Sequence, residues 1–204
     1  MKKTIVILTL LVLSACKSTP TSPDNNQLES KAVTSSSTST PDNSVNEVVT
    51  LSKPQSANLK IKSKVNSTIV YVDDSSWKFE KILKENTNAE YNFTLENTAV
   101  SGRLVTEKIA LNPKILTQAA LFNMRKVDPN AKVVKQEKRK INGNDVIYME
   151  MLSSAKGLEF KLFGVYHSNE SGSTQLVVFT LKDLEKDYNE QIQGLLAGFD
   201  VVKK

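Results

Sequence analysis

The chain has 204 residues, a formal net charge of +5, one cysteine and one histidine. A lone cysteine excludes an intrachain disulfide and a cysteine-rich metal site, and a lone histidine removes most zinc-hydrolase and proton-relay schemes. The charge is mild and the lysines are not interleaved with aromatics, so no nucleic-acid partner is expected.

The chain begins with Lys2 and Lys3, then an almost unbroken apolar run from Thr4 to Leu13, then small residues. That is the shape of a secretory signal over residues 1–15, and it is shorter than the about 20 apolar residues of a spanning helix. Leu13-Ser14-Ala15-Cys16 resembles the bacterial lipobox, where the cysteine thiol takes a diacylglycerol and the new amino terminus is acylated after cleavage. The resemblance implies a membrane anchor on Cys16 and a place in a bacterial cell envelope. Where the organism has an outer membrane, Lys17 rather than aspartate after the cysteine fits sorting to its periplasmic face. Each buried methylene contributes about 0.8 kcal/mol, so two or three acyl chains hold effectively permanently. Loss of Lys2 and Lys3 with the signal leaves 25 basic and 22 acidic side chains, net +3.

Residues 16–58 are expected to be the lipidated cysteine and a disordered tether, since 25 of the 42 residues from Lys17 to Asn58 are Ser, Thr, Pro or Asn. Such a composition buries too little apolar area to offset the entropy of ordering. A flexible chain of that length spans roughly 35 Å, enough to hold a domain clear of the lipid. Residues 59–204 then form a single α/β domain.

Within that domain, residues 68–72 predict a strand, 73–76 a turn, and 77–79 a short element. Residues 91–95 alternate as a half-buried strand does, and Ser101-Gly102 predicts a turn into a strand over 103–110. Asn112-Pro113 places a capping side chain before a first-turn proline, so a helix is expected to about residue 126, with Leu116, Ala119, Ala120, Asn123 and Val127 along one side. Four strands follow: 131–138, 145–152, 158–167 and 174–180, joined by turns at 141–144, 153–157 and 169–173. The Asn142-Gly143 pair favours a tight hairpin, and connections this short make the meander antiparallel. A helix over 181–197 carries Leu184, Tyr188, Ile192 and Leu195 on one stripe, with Gly198 at its cap. The fold class expected is an α/β/α or α+β sandwich, a mostly antiparallel sheet covered by helices.

From Trp77 to Phe199 the order of elements resembles the Mog1/PsbP-like family, bacterial lipoprotein members included. The resemblance rests on Ser101-Gly102-Arg103-Leu104-Val105-Thr106-Glu107, the helix at Pro113, the hairpin Ile141-Asn142-Gly143, Gly164-Val165-Tyr166, Gly172 with Thr174-Gln175-Leu176, and the last helix ending at Leu195 to Phe199. It implies a non-enzymatic domain that binds or assists a larger assembly.

The residues themselves nominate no catalytic constellation, metal set or cofactor. No serine lies in a Gly-x-Ser-x-Gly elbow, and the glycines are too dispersed for a phosphate loop. The basic run 132–140 and the strand carboxylates Glu107 and Glu150 are expected to face solvent. Arg103, Tyr166, His167 and Gln175 are the candidates for a binding surface. The leading reading is a membrane-anchored envelope lipoprotein whose domain contacts an envelope protein or a cell-wall component. A second is a carrier or sensor of a small apolar ligand lined by Phe160, Leu162, Phe163, Met149 and Met151; a hydrolase with His167 as base is the third.

Overall fold

A computed structural model describes residues 48–83 and 89–202. The signal, Cys16 and the tether up to residue 47 lie outside the described residues. In chain order the elements are β1 (Val49–Leu51), β2 (Leu59–Lys62), β3 (Thr68–Val72), β4 (Trp77–Lys81), β5 (Ala89–Leu95), β6 (Ser101–Glu107), α1 (Pro113–Arg125), β7 (Lys132–Ile141), β8 (Asn144–Ala155), β9 (Leu158–Asn169), β10 (Gly172–Leu181), α2 (Glu185–Ala197) and β11 (Phe199–Val201). A 3-10 turn at Lys182–Leu184 leads into α2.

Eight strands form one sheet in the order β1-β7-β8-β9-β10-β6-β5-β4, and three form a second in the order β11-β3-β2. Every pairing is antiparallel except β1 on β7. The period-two alternation of the long strands sorts their side chains between two cores. Met149, Met151, Leu162 and Tyr166 pack with Leu116 and Met124 of α1 on one face. Tyr148, Phe163, Val165, Leu176, Val178, Leu104 and Phe93 pack with Ile192, Leu195 and Leu196 of α2 and with Val70, Val72 and Phe199 of the small sheet on the other. The sheet is thus covered by α1 on one side and by α2 with the second sheet on the opposite side.

Local signals explain several elements. Asn112 Oδ1 accepts the Lys114 N–H at 2.9 Å, and Pro113 opens α1, as its sequence predicts. Asn142-Gly143 and Lys156-Gly157 have φ of 50°, 83°, 51° and 79°. Left-handed geometry at both central positions of a two-residue turn matches the strand twist, so the hairpins close tightly and the strands run longer than expected. The turn expected at 153–157 therefore contracts to Lys156-Gly157.

Other expectations are corrected. Residues 48–58, assigned by composition to the tether, belong to the folded body: Val49, Thr50 and Leu51 pair with Arg139, Lys140 and Ile141. The Ser101-Gly102 turn is instead the start of β6, where Gly102 pairs with Phe93 and Val178 beneath Leu195. Val127 lies past the end of α1 and is exposed. Gly198 caps α2 with an ordinary right-handed φ of −71°. Its glycine is required because a Cβ there would lie 2.0 Å from the Tyr71 carbonyl oxygen, and its own carbonyl accepts the Tyr71 N–H at 2.8 Å.

Candidate functional site

The most developed polar feature lies on the α2 side of the large sheet, where β7 and β8 extend past the helix. The side chains alternate inward from Ile141, so Arg139 and Glu137 follow it onto the core-facing side of β7. Tyr148 and Glu150 occupy the same side of β8, and Lys161 follows on β9. Arg139 is 8% exposed and its guanidinium carbon sits 3.3 Å from the centroid of the buried Tyr148 ring. Arg139 Nε donates to Glu137 Oε1 at 2.6 Å and Nη1 to Gln193 Oε1 at 3.1 Å. Gln193 Nε2 donates to the Tyr148 hydroxyl at 3.0 Å, which donates onward to Glu150 Oε1 at 2.9 Å. Lys161 closes the chain, 2.8 Å from Glu150 Oε2 and 2.5 Å from Glu185 Oε1 at the start of α2.

The electrostatics follow from this order. Burial opposes ionisation of Glu137, but Arg139 and Lys135 outweigh it and hold the carboxyl below its ordinary range. Burial likewise opposes the charge on Lys161, and Glu150 with Glu185 reverses the effect and raises its pKa. Burial raises the Tyr148 phenol, which keeps its proton and serves as a donor. Each partly buried charge therefore has an opposite partner, as burial demands.

Above this floor opens a cleft of about 520 Å³, lined on the sheet side by Lys135, Arg139, Tyr148 and Glu150. Asn189, Gln193, Gly194 and Ala197 of α2 form one wall, and Val49, Leu51 and Pro54 form the other. The wall of Val49, Leu51 and Pro54 is apolar, whereas Asn189 and Gln193 make the α2 wall polar, and the cleft is open to solvent. The carboxylates and cations neutralise one another, so the arrangement fixes the orientation of its hydrogen bonds.

The sequence candidates fall elsewhere. Tyr166 is completely buried below α1 with its hydroxyl unpartnered by protein, and its ring lies over Gly164. Gln175 stands between Tyr166 and Val105 in register, and Arg103 of β6 donates from Nε to Asn92 Oδ1 at 3.1 Å. Those two are half-buried on the α1 side of the sheet. His167 points to the opposite side, its Nδ1 2.9 Å from the Asp145 carbonyl oxygen and its ring 5.3 Å from that of Phe199. The four do not converge on one surface. His167 Nε2 meets no hydroxyl, so no serine–histidine pair forms among the described residues. No group of three or more His, Cys, Asp or Glu that could hold a metal occurs among them either. Phe163 lies on the α2 side while Phe160, Leu162, Met149 and Met151 lie on the α1 side, so the five do not line one space.

No motif in the sequence alone singles out Arg139, Tyr148 or Gln193. The basic run hides Arg139 among true surface lysines, and Glu150, expected to face solvent, is instead held by Lys161 and Tyr148. One signal was available: the Asn142-Gly143 turn fixes Ile141 opposite Asn144, and counting back by twos carries Arg139 and Glu137 to the core side.

No protein-family model matches the chain, and no curated protein matches it in sequence. In three dimensions, 71% of the chain matches 92% of CyanoP, the cyanobacterial PsbP of Synechocystis sp. PCC 6803, with a TM-score of 0.53 and 8% identity. The same share matches 90% of LpqN of Mycobacterium tuberculosis, a protein involved in cell envelope biogenesis, with a TM-score of 0.50 and 11% identity. The likeness is one of fold, and the PsbP-like layout expected from the order of elements is the one found. Among the described residues no helix is long and apolar enough to cross a membrane.

Proposed function

We propose that this chain is a lipid-anchored protein of the bacterial cell envelope whose folded domain is a non-enzymatic binding or adaptor module for an envelope protein or cell-wall component. The observation that carries the binding role is the cleft beside α2. Its floor is a continuous, internally neutralised hydrogen-bonded network from Glu137 through Arg139, Gln193, Tyr148 and Glu150 to Lys161. Donors and acceptors held in place beside an apolar wall favour recognition, and the one hydroxyl that meets a carboxylate there, Tyr148 on Glu150, is held protonated by burial. The lipobox-like Leu13 to Cys16 supports the anchor, and the fold shared with an envelope-biogenesis protein supports the location.

The test is crosslinking in living cells. Full-length protein bearing a photoreactive residue at the exposed Asn189 is compared with its Cys16→Ser counterpart. Cell fractionation is expected to move the protein from the membrane to the soluble fraction on Cys16→Ser. One envelope protein or cell-wall fragment, captured in every repeat by the anchored form, supports the module. Capture of abundant bystanders alone overturns it.

A further inference from the structure

We infer that the outward face of α1 docks the domain on an anionic phospholipid surface. This goes beyond the binding-module reading and concerns the opposite side of the large sheet. α1 and α2 are each 13 residues long, and each covers one face of that sheet. Their solvent sides differ in kind. The exposed residues of α2 are Lys186, Asp187, Asn189 and Glu190, all polar. α1 instead exposes Ile115 at 51% and Phe122 at 64%. Ile115, Ala119, Phe122 and Lys126 recur at helical spacing and form a stripe turned away from the core-facing Leu116, Ala120 and Met124. Ile109 before the helix and Val127 after it are exposed as well. Single exposed apolar side chains are ordinary, but a second apolar stripe on a helix whose first is already buried marks a contact surface.

The charges say what it contacts. Residues 108–127 contain no Asp or Glu, yet include Lys108, Lys114, Arg125 and Lys126. None of these four cations is in an ion pair among the described residues. α2 carries Glu185, Asp187 and Glu190 against Lys186, so the two helical coverings have opposite charge and α1 is the positive one. Lys126 Nζ lies 4.8 Å from the Phe122 ring centroid, which presents an ammonium and an aromatic body together. Apolar side chains set among lysines and arginines suit a helix lying at a lipid interface, and an anionic leaflet attracts the cations. Protein interfaces are depleted of lysine and need a matching shape, whereas this stripe stands on the outside of a single helix.

The residues outside the described ones offer little to cover the stripe. Within residues 17–47 the apolar side chains are Leu28, Ala32, Val33 and Val45 alone, and residues 84–88 and 203–204 have none. Lipid is close at hand, since a flexible chain as long as residues 17–47 spans about 30 Å. An anchor on Cys16 makes docking an intramolecular event, for which a weak surface suffices. With α1 on the lipid, the cleft beside α2 faces away from it, toward a partner.

The probe is a vesicle of equal parts phosphatidylglycerol and phosphatidylcholine, with phosphatidylcholine alone as control. The protein is chain 17–204, which keeps every described residue and omits the apolar run of the signal. Co-flotation with the anionic vesicles alone is expected, weakening as salt is raised. Phe122→Trp is expected to bind and to shift its emission to the blue only on those vesicles. Ile115→Ser with Phe122→Ser, both at exposed positions, is expected to weaken binding at least about tenfold. Lys114→Gln with Lys126→Gln is expected to weaken it about tenfold. No binding, equal binding to the neutral vesicles, or binding unchanged by the serine pair overturns the inference. In cells, a photoreactive residue at the exposed Gln118 is expected to label phospholipid. Labelling of a protein alone, or of residues 17–47, overturns it too. Those outcomes leave the cleft, tested through Asn189, standing as a binding module. The comparison of the two vesicles uses the unaltered sequence, so a folding defect in a variant leaves the test decisive.

Discussion

The guanidinium carbon of Arg139 stands over the Tyr148 ring, 3.3 Å from its centroid, in a strand otherwise rich in surface lysines. Tyr148 is completely buried, with the cation covering its ring at the floor of the cleft while Glu137 and Gln193 each accept one guanidinium N–H. Arg139→Ala strips the ring and leaves Glu137 without its main partner. A loss of about 2–4 kcal/mol in urea unfolding is expected. Arg139→Lys is expected to restore less than half, because an ammonium cannot stack and fork at once. Full rescue by lysine would mean that charge alone matters here.

Tyr166 and Gly164 form a second dependent pair. A Cβ at Gly164 would stand 2.6 Å from Tyr166 Cε2, so Gly164→Ala must drive the ring out of its place under α1. Overpacking of this kind costs about 1–3 kcal/mol, read as a lower denaturation midpoint. Tyr166→Phe removes a buried hydroxyl with no protein partner and is expected to be neutral or stabilising by up to about 1 kcal/mol. A large destabilisation by phenylalanine would show that the hydroxyl is bonded.

Acid stability should depend on Asp128, which joins the end of α1 to β8. The Ser154 N–H donates to its Oδ2 at 2.6 Å; the Asn130 N–H and the Ser153 and Ser154 hydroxyls add to this. Chiefly through the Ser154 N–H, and against the effect of burial, the carboxyl is held below its ordinary value of 3.8. A lowered folded-state pKa gives stability that is complete above the ordinary value and lost as pH falls through the folded one. Asp128→Asn should therefore flatten the acid limb of a stability–pH curve below about pH 4. An unchanged limb would remove Asp128 from the account.

Asn142 links both ends of the domain to one hairpin. Its Nδ2 donates to the Ala197 and Phe199 carbonyls at 3.0 and 2.7 Å, and its Oδ1 accepts the Lys53 N–H at 2.9 Å. Asn142→Ala loses these bonds and places alanine at a φ of 50°, for an expected cost of about 2–3 kcal/mol. Asn142→Gly relieves only the backbone part, so the difference between the two variants in thermal unfolding measures it. Equal costs would show that the lost hydrogen bonds dominate.

Local chemistry was legible where it acts within a few residues. Asn112-Pro113 starts α1 because a cap and a first-turn proline need nothing distant. Asn142-Gly143 closes its hairpin because both residues tolerate positive φ. Strands β1, β2 and β11 were not legible: three or four residues carry no usable period, and each exists through a partner far along the chain. Ser101-Gly102 misled because a glycine wanted for turning and one wanted for close packing under Leu195 look alike.

The sequence by itself determined the mostly antiparallel meander, its two helices and the absence of a disulfide or cysteine-metal framework, since these follow from spacing, turn chemistry and residue inventory. Only the tertiary structure decided that Arg139 leaves the basic run to cover Tyr148, that Tyr166 and His167 part to opposite faces, and that the first folded residues complete the large sheet. Those outcomes depend on register and on which layer covers each face. Both are set by contacts between residues tens of positions apart, where one residue of slip reverses every side chain.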